Sequence, residues 1–388
     1  MEILFFSRRF SSPAAPVYTQ SVNFRPIPMN SLLFSPFRIR DITLKNRVGV
    51  APMCQYSATD GIAGPWHVVH LGSRAVGGAG LVFVEAAAVS AGARISDGDI
   101  GIWNDAHVAA FRPITAFAKS LGATPGIQLA HAGRKGSTQK PWQGRKMVDV
   151  HEGGWTTVAP SALPFNDEYP MPAAMTEDDM ARVIDDFVQA AQRSLDAGFD
   201  VLELHMGHGY LLHEFLSPLS NLRTDAWGGS FEGRTAFPLS LAKAVRAQWP
   251  SRLPLFVRIS ATDWVDGGWD LDQSIQFARL LREAGVDLVD CSSGSIVPGS
   301  RGEPAPGFQV PLAAAIRKEA QVATAAVGLI TEARQAEEIL VQEQADLVLI
   351  GRALLADPYW PLRAQGQLDG TSAWPIQYDR AVNPNALT

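Results

Sequence analysis

Short apolar runs alternate with longer stretches of helical spacing along most of the chain. The apolar runs are four or five residues long, contain β-branched and large apolar residues, and are bounded by polar, Gly or Pro residues, which is typical of buried strands. The pattern predicts eight strands, at residues 48–51, 81–85, 126–129, 201–204, 255–259, 288–291, 322–326 and 347–350.

Between these strands, apolar residues recur at the spacing of one helix face. The clearest case follows Thr176, which forms a capping-box pattern with Asp179: the threonine oxygen can accept the amide hydrogen of residue 179 while the carboxylate reaches back. Asp270 and Thr331 are predicted to cap two later helices. Further helices are predicted over 66–75, 106–120, 233–248 and 312–319.

Tight turns join helix ends to the next strand at 197–200, 284–287 and 344–346. Two of them contain a glycine, which takes a positive φ at a helix end without strain. The alternation of strands and helices predicts an α/β fold, a (β/α)8 TIM barrel with a long loop, 130–175, after strand 3. The alternative, a doubly wound sheet, lacks the Gly-x-Gly-x-x-Gly fingerprint after the first strand.

Globular patterning begins near residue 31, which predicts three regions. Residues 1–30 form an extension that is disordered or not native, with Met29 as an alternative start. Their arginines, serines and near lack of acidic residues also fit an organellar transit peptide. Residues 31–365 are expected to form the barrel, and residues 366–388 a C-terminal tail.

Composition narrows the classes of function. The 388 residues carry a net charge of -6, which disfavours nucleic acid or an anionic membrane as a partner. The two cysteines, Cys54 and Cys291, cannot build a disulfide framework, a zinc finger or a four-cysteine iron–sulfur site within one chain. No apolar run is long enough to span a membrane. A reduced, cytoplasmic compartment is expected, with organellar import as the alternative.

The most informative cluster, His205, His208 and Tyr210, directly follows the fourth predicted strand. Two imidazoles can donate hydrogen bonds to one substrate oxygen, and a phenol can give a proton. Structural histidines and a core tyrosine are the alternative. A metal site with His131 or His213 would need carboxylate ligands that the pattern does not show, so no metal is predicted.

The ends of other strands add candidates for a phosphate-bearing ligand. Gly328 follows strand 7, and Gly351 with Arg352 follows strand 8, where barrels often hold phosphate. Arg258 ends strand 5 and needs an anion, because an unpaired buried cation is costly. That anion is either an internal carboxylate, with Glu203 or Glu85 as candidates, or a cofactor that becomes anionic, such as reduced flavin.

These residues lie in motifs that resemble the old yellow enzyme family of FMN-dependent ene-reductases, most closely its thermophilic-like bacterial subgroup. The resemblance covers residue 31 to the C-terminus. The matching stretches are LKNR (44–47), APMCQY (51–56), GIQLAHAGRK (126–135), HMGHGY (205–210), LSPLSN (216–221), RTD (223–225), GGS (228–230) with Arg234, and IGR (350–352).

The resemblance implies an NADPH dehydrogenase with tightly bound, non-covalent FMN, reduced by NADPH or NADH. It implies a ping-pong reaction that reduces the C=C bond of α,β-unsaturated carbonyl or nitro compounds. Reduction of nitro compounds or nitrate esters on the same residues is the alternative. The positions implied to bind FMN, together with Gly328, are Ala51, Pro52, Met53, Cys54, Ala86, Gln128, Arg258, Gly351 and Arg352.

The resemblance also assigns roles on the substrate side. Tyr56, His205 and His208 would bind the substrate oxygen, Tyr210 would protonate Cα, and Cys54 would tune the flavin, although Cys54 also suits a small buried hydrophobic position. A homodimer or homotetramer is implied, in which the C-terminal tail of one subunit could reach its neighbour. Arg380 is the candidate for that contact and for substrate binding, with a simple surface arginine as the alternative.

Overall fold

Eight parallel strands form a closed barrel in the computed structural model, which describes residues 31–382. Each strand pairs with the next one in the chain, and the last pairs with the first. The predicted (β/α)8 barrel is therefore confirmed, whereas the expectations about residues 1–30 lie outside the described residues. The strands are β1 Val48–Val50, β2 Leu81–Ala88, β3 Thr124–Ala130, β4 Val201–Met206, β5 Leu255–Ser260, β6 Leu288–Ser292, β7 Ala323–Ala326 and β8 Leu347–Ile350.

Eight longer helices surround the barrel. Phe111, Phe187, Phe237 and Phe277 are each fully buried on four of them and belong to the apolar layer between helices and strands. The helices are α1 Pro65–Val76, α2 Asp105–Ser120, α3 Glu177–Asp196, α4 Phe231–Gln248, α5 Leu271–Glu283, α6 Val310–Ala320, α7 Ala333–Val341 and α8 Trp360–Asp369. Short helices at Leu211–Leu216 and Arg352–Ala356 follow β4 and β8, and a third lies at Asp379–Val382.

The predicted caps are mostly confirmed. At the start of α3, Thr176 Oγ1 accepts from the Asp179 amide at 3.2 Å and Asp179 Oδ2 accepts from the Thr176 amide at 2.8 Å. Asp270 accepts from the Gln273 amide at 2.9 Å before α5. The prediction for Thr331 was wrong, because α7 begins one residue later, after Glu332, and Thr331 caps nothing there.

The interior of the barrel is apolar at the end where the strands begin. Because side chains alternate along a strand, the first residue of β4 and the third and fifth face the same side. The apolar cluster at this end contains Leu81 and Phe83 of β2, Val201, Phe256, Leu288, Leu347 and Leu349. A two-stranded hairpin, Phe37–Ile39 and Ile42–Leu44, covers this end, since its Ile39 and Leu44 belong to the same cluster.

The long segment after β3 is built of short, hydrogen-bonded pieces. It contains turns of 3-10 helix at Gly133–Lys135, Pro141–Gln143 and Val150–Glu152 and a pair of two-residue strands, Val158–Ala159 and Ala173–Ala174. The guanidinium of Arg223 donates to the Pro160 carbonyl at 3.1 Å and to the Met175 carbonyl at 2.6 Å, which fixes the segment to the barrel. Within residues 31–382, no helix is both long and apolar enough to cross a membrane.

Candidate active site

Polar side chains fill the barrel interior at the end where the strands finish. Strand β4 extends to Met206, so His205 lies within the strand and not beyond it as the sequence predicted. His205 is paired in register with Arg258 of β5, and Arg258 with Asp290 of β6. Gln128 of β3 is the register partner of Glu203. Four consecutive strands thus carry one continuous polar layer.

Two buried contacts organise this layer. Gln128 Nε2 donates to Glu203 Oε1 at 2.8 Å, and Arg258 Nε lies 3.1 Å from Asp290 Oδ2, close enough for an ion pair but not aligned for a hydrogen bond. The partner of Arg258 is therefore Asp290, which the sequence analysis had not considered, and not Glu203 or Glu85. Glu85 instead contacts His67 Nε2 at 3.1 Å.

Several polar atoms in this layer make no hydrogen bond. Glu203 Oε2 and both Asp290 oxygens accept no hydrogen bond, and the terminal nitrogens of Arg258 donate none within residues 31–382. Burial raises the pKa of both carboxyls, that of Asp290 to about 6. Since buried polar groups are normally satisfied, the layer has the spare donors and acceptors expected of a site for a polar ring. An anionic ring edge beside Arg258 fits this donor set.

The two histidines form a hydrogen-bonded chain. His205 Nδ1 accepts from the Gly207 amide at 3.3 Å, which places the ring proton on Nε2. That nitrogen lies 3.2 Å from His208 Nδ1, and His208 Nε2 lies 2.6 Å from Ser292 Oγ. Burial, and next the charge of Arg258, lower the pKa of both rings well below the usual value. Both imidazoles are therefore neutral, and each has an N–H to donate.

A strained turn places these groups. His208 and Gly209 both have positive φ, +58° and +71°. A Cβ on Gly209 would lie 2.2 Å from the Ser295 carbonyl oxygen, so the close approach requires glycine. The Gly209 amide donates to His213 Nδ1 at 2.9 Å, and His213 Nε2 lies 2.9 Å from Asp263 Oδ1. The sequence analysis missed Asp263, because nothing in the motif marks a residue fifty positions away.

Tyr56 and Tyr210 line one cavity of about 500 Å³ above this layer. Tyr56 comes from the loop after β1, and its side chain lies near the Cys54 sulfur. The Tyr210 ring centroid lies 5.1 Å from that of His205. Burial raises the pKa of Tyr56, Tyr210 and Cys54, so all three are protonated near neutral pH. The cavity thus has three phenols on its wall, those of Tyr56, Tyr169 and Tyr210, and a histidine beside the last of them.

The remaining predicted residues are placed as follows. Ala86 shares a small recess with Tyr210. Met53 Sδ lies 3.5 Å from where a Cβ on Gly351 would be, so the loops after β1 and β8 meet. Gly328 has φ +122° and contacts Gln309, while Arg352 is exposed at the start of the helix after β8.

The last predictions concern Arg380 and the histidines considered as metal ligands. Arg380 is exposed on the short C-terminal helix and does not line the cavity of its own chain. The histidines considered as metal ligands are engaged elsewhere: His131 Nδ1 accepts from the Gly133 amide at 3.0 Å, and His213 contacts Asp263. No three His, Cys, Asp or Glu side chains converge as a metal site in the part of the chain described.

Comparison with known proteins gives a consistent result. The NADH:flavin oxidoreductase / NADH oxidase family matches residues 32–370. The chain is 48% identical over 351 residues to an NADPH dehydrogenase of Bacillus velezensis, covering 90% of this chain and 98% of that protein. It is 46% identical over 350 residues to an NADPH dehydrogenase of Bacillus subtilis, covering 90% and 98%.

Solved structures agree. Morphinone reductase has a TM-score of 0.74 at 27% identity, covering 89% of this chain and 91% of that one. An old yellow enzyme homologue from Zymomonas mobilis has a TM-score of 0.72 at 27% identity, covering 85% and 91%.

Proposed function

The chain belongs to the NADH:flavin oxidoreductase / NADH oxidase family and is an oxidoreductase, and we propose that it is an FMN-dependent ene-reductase. It would take electrons from NADPH or NADH and reduce the C=C bond of α,β-unsaturated carbonyl or nitro compounds. The observation that carries this proposal is the neutral histidine chain, His205–His208, in which the His205 ring packs against Tyr210, a residue of the cavity wall.

The polar layer supplies the groups that would hold FMN. The end of the barrel where the strands finish is called the open end, and the end covered by the hairpin is called the closed end. Gln128 and Arg258 would bind the polar edge of the FMN ring, because both are buried at the open end and the arginine has unused donors. The phosphate would be held by Gly328, Gly351 and Arg352, and the ring would be flanked by residues 51–54 and Ala86. When bound, FMN supplies the hydride chemistry, accepting a hydride from the reductant and passing it to the alkene.

The histidines are suited to stabilise negative charge on a substrate oxygen. His205 Nε2–H is already a donor and gives its hydrogen bond to His208 in the absence of substrate. A carbonyl or nitro oxygen placed between the two rings would take over the His205 N–H, and a shift of the His208 proton from Nε2 to Nδ1 would supply a second donor. Because both rings are neutral, they stabilise charge that develops during the reaction without transferring a proton.

Tyr210 would deliver the proton to Cα. Burial keeps its phenol protonated, and Lys135 Nζ lies 5.4 Å from its ring centroid. Burial lowers the pKa of Lys135 to about 7, so an amine that is partly protonated at neutral pH stands near the phenolate that forms when the proton leaves. Tyr56, with its hydroxyl group beside the Cys54 thiol, would contact the substrate from the opposite loop. Cys54 would lie beside the flavin and influence its redox balance.

The test separates the two halves of the reaction. The Tyr210→Phe variant should be bleached by NADPH anaerobically as fast as the wild type, but its reoxidation by 2-cyclohexenone should slow by about 10²–10⁴-fold, the usual contribution of one positioned acid. Tyr169→Phe, which removes another phenol from the same cavity, is the matched control and should reoxidise normally. Equal slowing of both halves in Tyr210→Phe would refute the proton-donor role.

We also propose that the protein is a homodimer or homotetramer in which Arg380 reaches the site of a neighbouring subunit. The support is that Arg380 is exposed and does not line the cavity of its own chain. Light scattering of the holoenzyme measures the assembly. Loss of enone affinity in Arg380→Ala, with the assembly intact, would support the contact, and unchanged affinity would refute it.

A further inference from the structure

The wall and mouth of the cavity carry three basic side chains and no carboxylate. Lys135, Arg145 and Arg301 all line it, whereas none of its lining residues is Asp or Glu. This contrasts with the chain as a whole, which has 39 acidic and 33 basic side chains among Asp, Glu, Lys and Arg. A cavity lined by one sign of charge concentrates ligands of the opposite sign.

One of the three basic side chains is already committed to the protein. Lys135 Nζ donates to the His208 carbonyl at 2.8 Å and to the Ser295 carbonyl at 3.0 Å, and it lies 4.5 Å from the centroid of the Phe165 ring. It therefore holds the turn after β4 against the loop after β6. The cations available to a ligand are the two arginines.

Neither arginine has an internal partner. Within residues 31–382, the guanidinium groups of Arg145 and Arg301 make no ion pair and no hydrogen bond, and both side chains are exposed at the mouth. Burial raises the pKa of Tyr56 and Tyr169, and the charge of Arg145 opposes that rise in both, which places its guanidinium near the two phenols. Arg145 thus lies close to the part of the cavity that Tyr56 and Tyr169 line.

Both arginines are presented by hydrogen-bonded loops. The turn carrying Arg145 is closed by Gln139 N–H to the Lys146 carbonyl and Val148 N–H to the Ser137 carbonyl, each 2.8 Å. Arg301 follows a turn closed by Ser295 N–H to the Ser300 carbonyl at 2.7 Å. One cation therefore comes from the segment after β3 and the other from the loop after β6, so the mouth is bordered by positive charge from two separate loops.

We propose that Arg145 and Arg301 bind the phosphate groups of the nicotinamide dinucleotide while its nicotinamide ring occupies the cavity. The inference rests on the proposed function, in which NADPH or NADH and a small neutral alkene use the same cavity in turn. Only the dinucleotide carries phosphates, and guanidinium groups bind phosphate through charge-assisted, often bidentate, hydrogen bonds. The arginines would therefore favour the reductant and be indifferent to a neutral oxidant.

The experiment compares reductants with and without phosphate on the FMN-loaded protein. Anaerobic bleaching is followed with NADPH, with NADH and with 1-benzyl-1,4-dihydronicotinamide, which has no phosphate. In Arg145→Ala/Arg301→Ala, the concentration of NADPH or NADH giving half-maximal rate should rise by about 10–100-fold, the loss expected for hydrogen bonds to a charged group. The limiting rate, the benzyl reductant and reoxidation by 2-cyclohexenone should be unchanged.

The matched control is Lys146→Ala, which removes a neighbouring exposed cation that does not line the cavity. It should leave the NADPH dependence as in the wild type. Calorimetric titration of the oxidised holoenzyme with NADP⁺ gives a readout independent of turnover, and the double variant should bind it more weakly by the same factor.

The possible failures are distinct. If the wild type is bleached but the double variant retains wild-type affinity for NADPH, or if the benzyl reductant is impaired as much as NADPH, the phosphate site is wrong and the ene-reductase proposal stands. If neither NADPH nor the benzyl reductant bleaches the wild type, the proposed function fails, and this inference fails with it.

Discussion

The two ends of the barrel interior are built from the same strands, but the inward side chains are apolar at one end and polar or charged at the other. Where the strands begin, the inward side chains are Leu, Phe and Val, closed off by the N-terminal hairpin. Where they finish, the inward side chains include Glu203, Arg258 and Asp290, with unused donors and acceptors. Phe256 and Arg258 lie two positions apart on one strand, and so do Leu288 and Asp290 on the next.

The difference shows how one fold separates stability from chemistry. Burying a large apolar side chain stabilises a protein by about 1.5–3 kcal/mol, whereas a buried ion pair contributes little net stability. We therefore expect the closed end to provide net folding stability without affecting ligand binding, and the open end to provide ligand binding and to lower stability when one of its charges loses its partner. Paired substitutions on a single strand can test this division.

The largest effect is expected for Arg258→Met at the open end. It leaves Asp290 buried without its ion-pair partner, which should lower the free energy of unfolding by about 3–5 kcal/mol, and it should reduce FMN content. Urea denaturation and the ratio of flavin to protein absorbance measure the two effects. Adding Asp290→Asn should restore part of the stability but not the flavin; recovery of both would show that Arg258 serves only the fold.

The second prediction concerns Leu288→Ala at the closed end, on the same strand as Asp290. The cavity it creates in a fully buried cluster should lower the free energy of unfolding by about 2–5 kcal/mol. The folded protein should bind FMN with wild-type affinity in a fluorescence titration. A parallel loss of FMN affinity would show that the two ends are not independent.

The third prediction uses pH to test one group at the open end, Glu214. Glu214 lies in the helix after β4, accepts from the Arg134 amide at 2.9 Å and is fully buried, which raises its pKa from 4.5 to about 8. The folded protein thus holds a proton that the unfolded chain releases. Through Glu214 alone, raising the pH from 4.5 to 8 should therefore lower the free energy of unfolding, by up to about 1.4 kcal/mol per pH unit.

Glu214→Gln is the matched variant, because the amide keeps an acceptor oxygen and does not titrate. The free energy of unfolding of the variant should increase relative to that of the wild type as the pH rises from 4.5 to 8. Urea denaturation of both proteins at several pH values measures the difference; a constant difference would contradict the buried neutral carboxyl.

The smallest effect is expected for Arg40→Met in the hairpin at the closed end. Arg40 Nε lies 2.6 Å from Asp287 Oδ1, but both side chains are partly exposed, and such pairs contribute about 1 kcal/mol or less. FMN binding should not change. A loss well above that value would show that the hairpin depends on polar contacts more than on Ile39 and Leu44.

Most of the fold could be predicted from the sequence, and the errors have physical causes. The eight strands were found because each is a short, mostly apolar run, but His205 was placed outside β4, since the apolar run ends at Leu204 although the strand continues. Asp290 lies within the predicted sixth strand, but it was overlooked as the partner of Arg258 because the register between β5 and β6 is not visible in the sequence. Thr331 was predicted to cap α7, yet the helix begins after Glu332. A polar segment before a helix contains several residues at which the helix could begin, and the sequence does not distinguish between them.

The sequence by itself determined the number and order of the strands and the seven helices that join them, and it placed the His205–Tyr210 motif at the end of the fourth strand. Only the tertiary structure decided that Arg258 pairs with Asp290, that the two histidines bond to each other, and that Arg145 and Arg301 meet at one cavity mouth. Periodicity is local and can be read along the chain, whereas these contacts join strands and loops that become neighbours only when the barrel closes in a particular register.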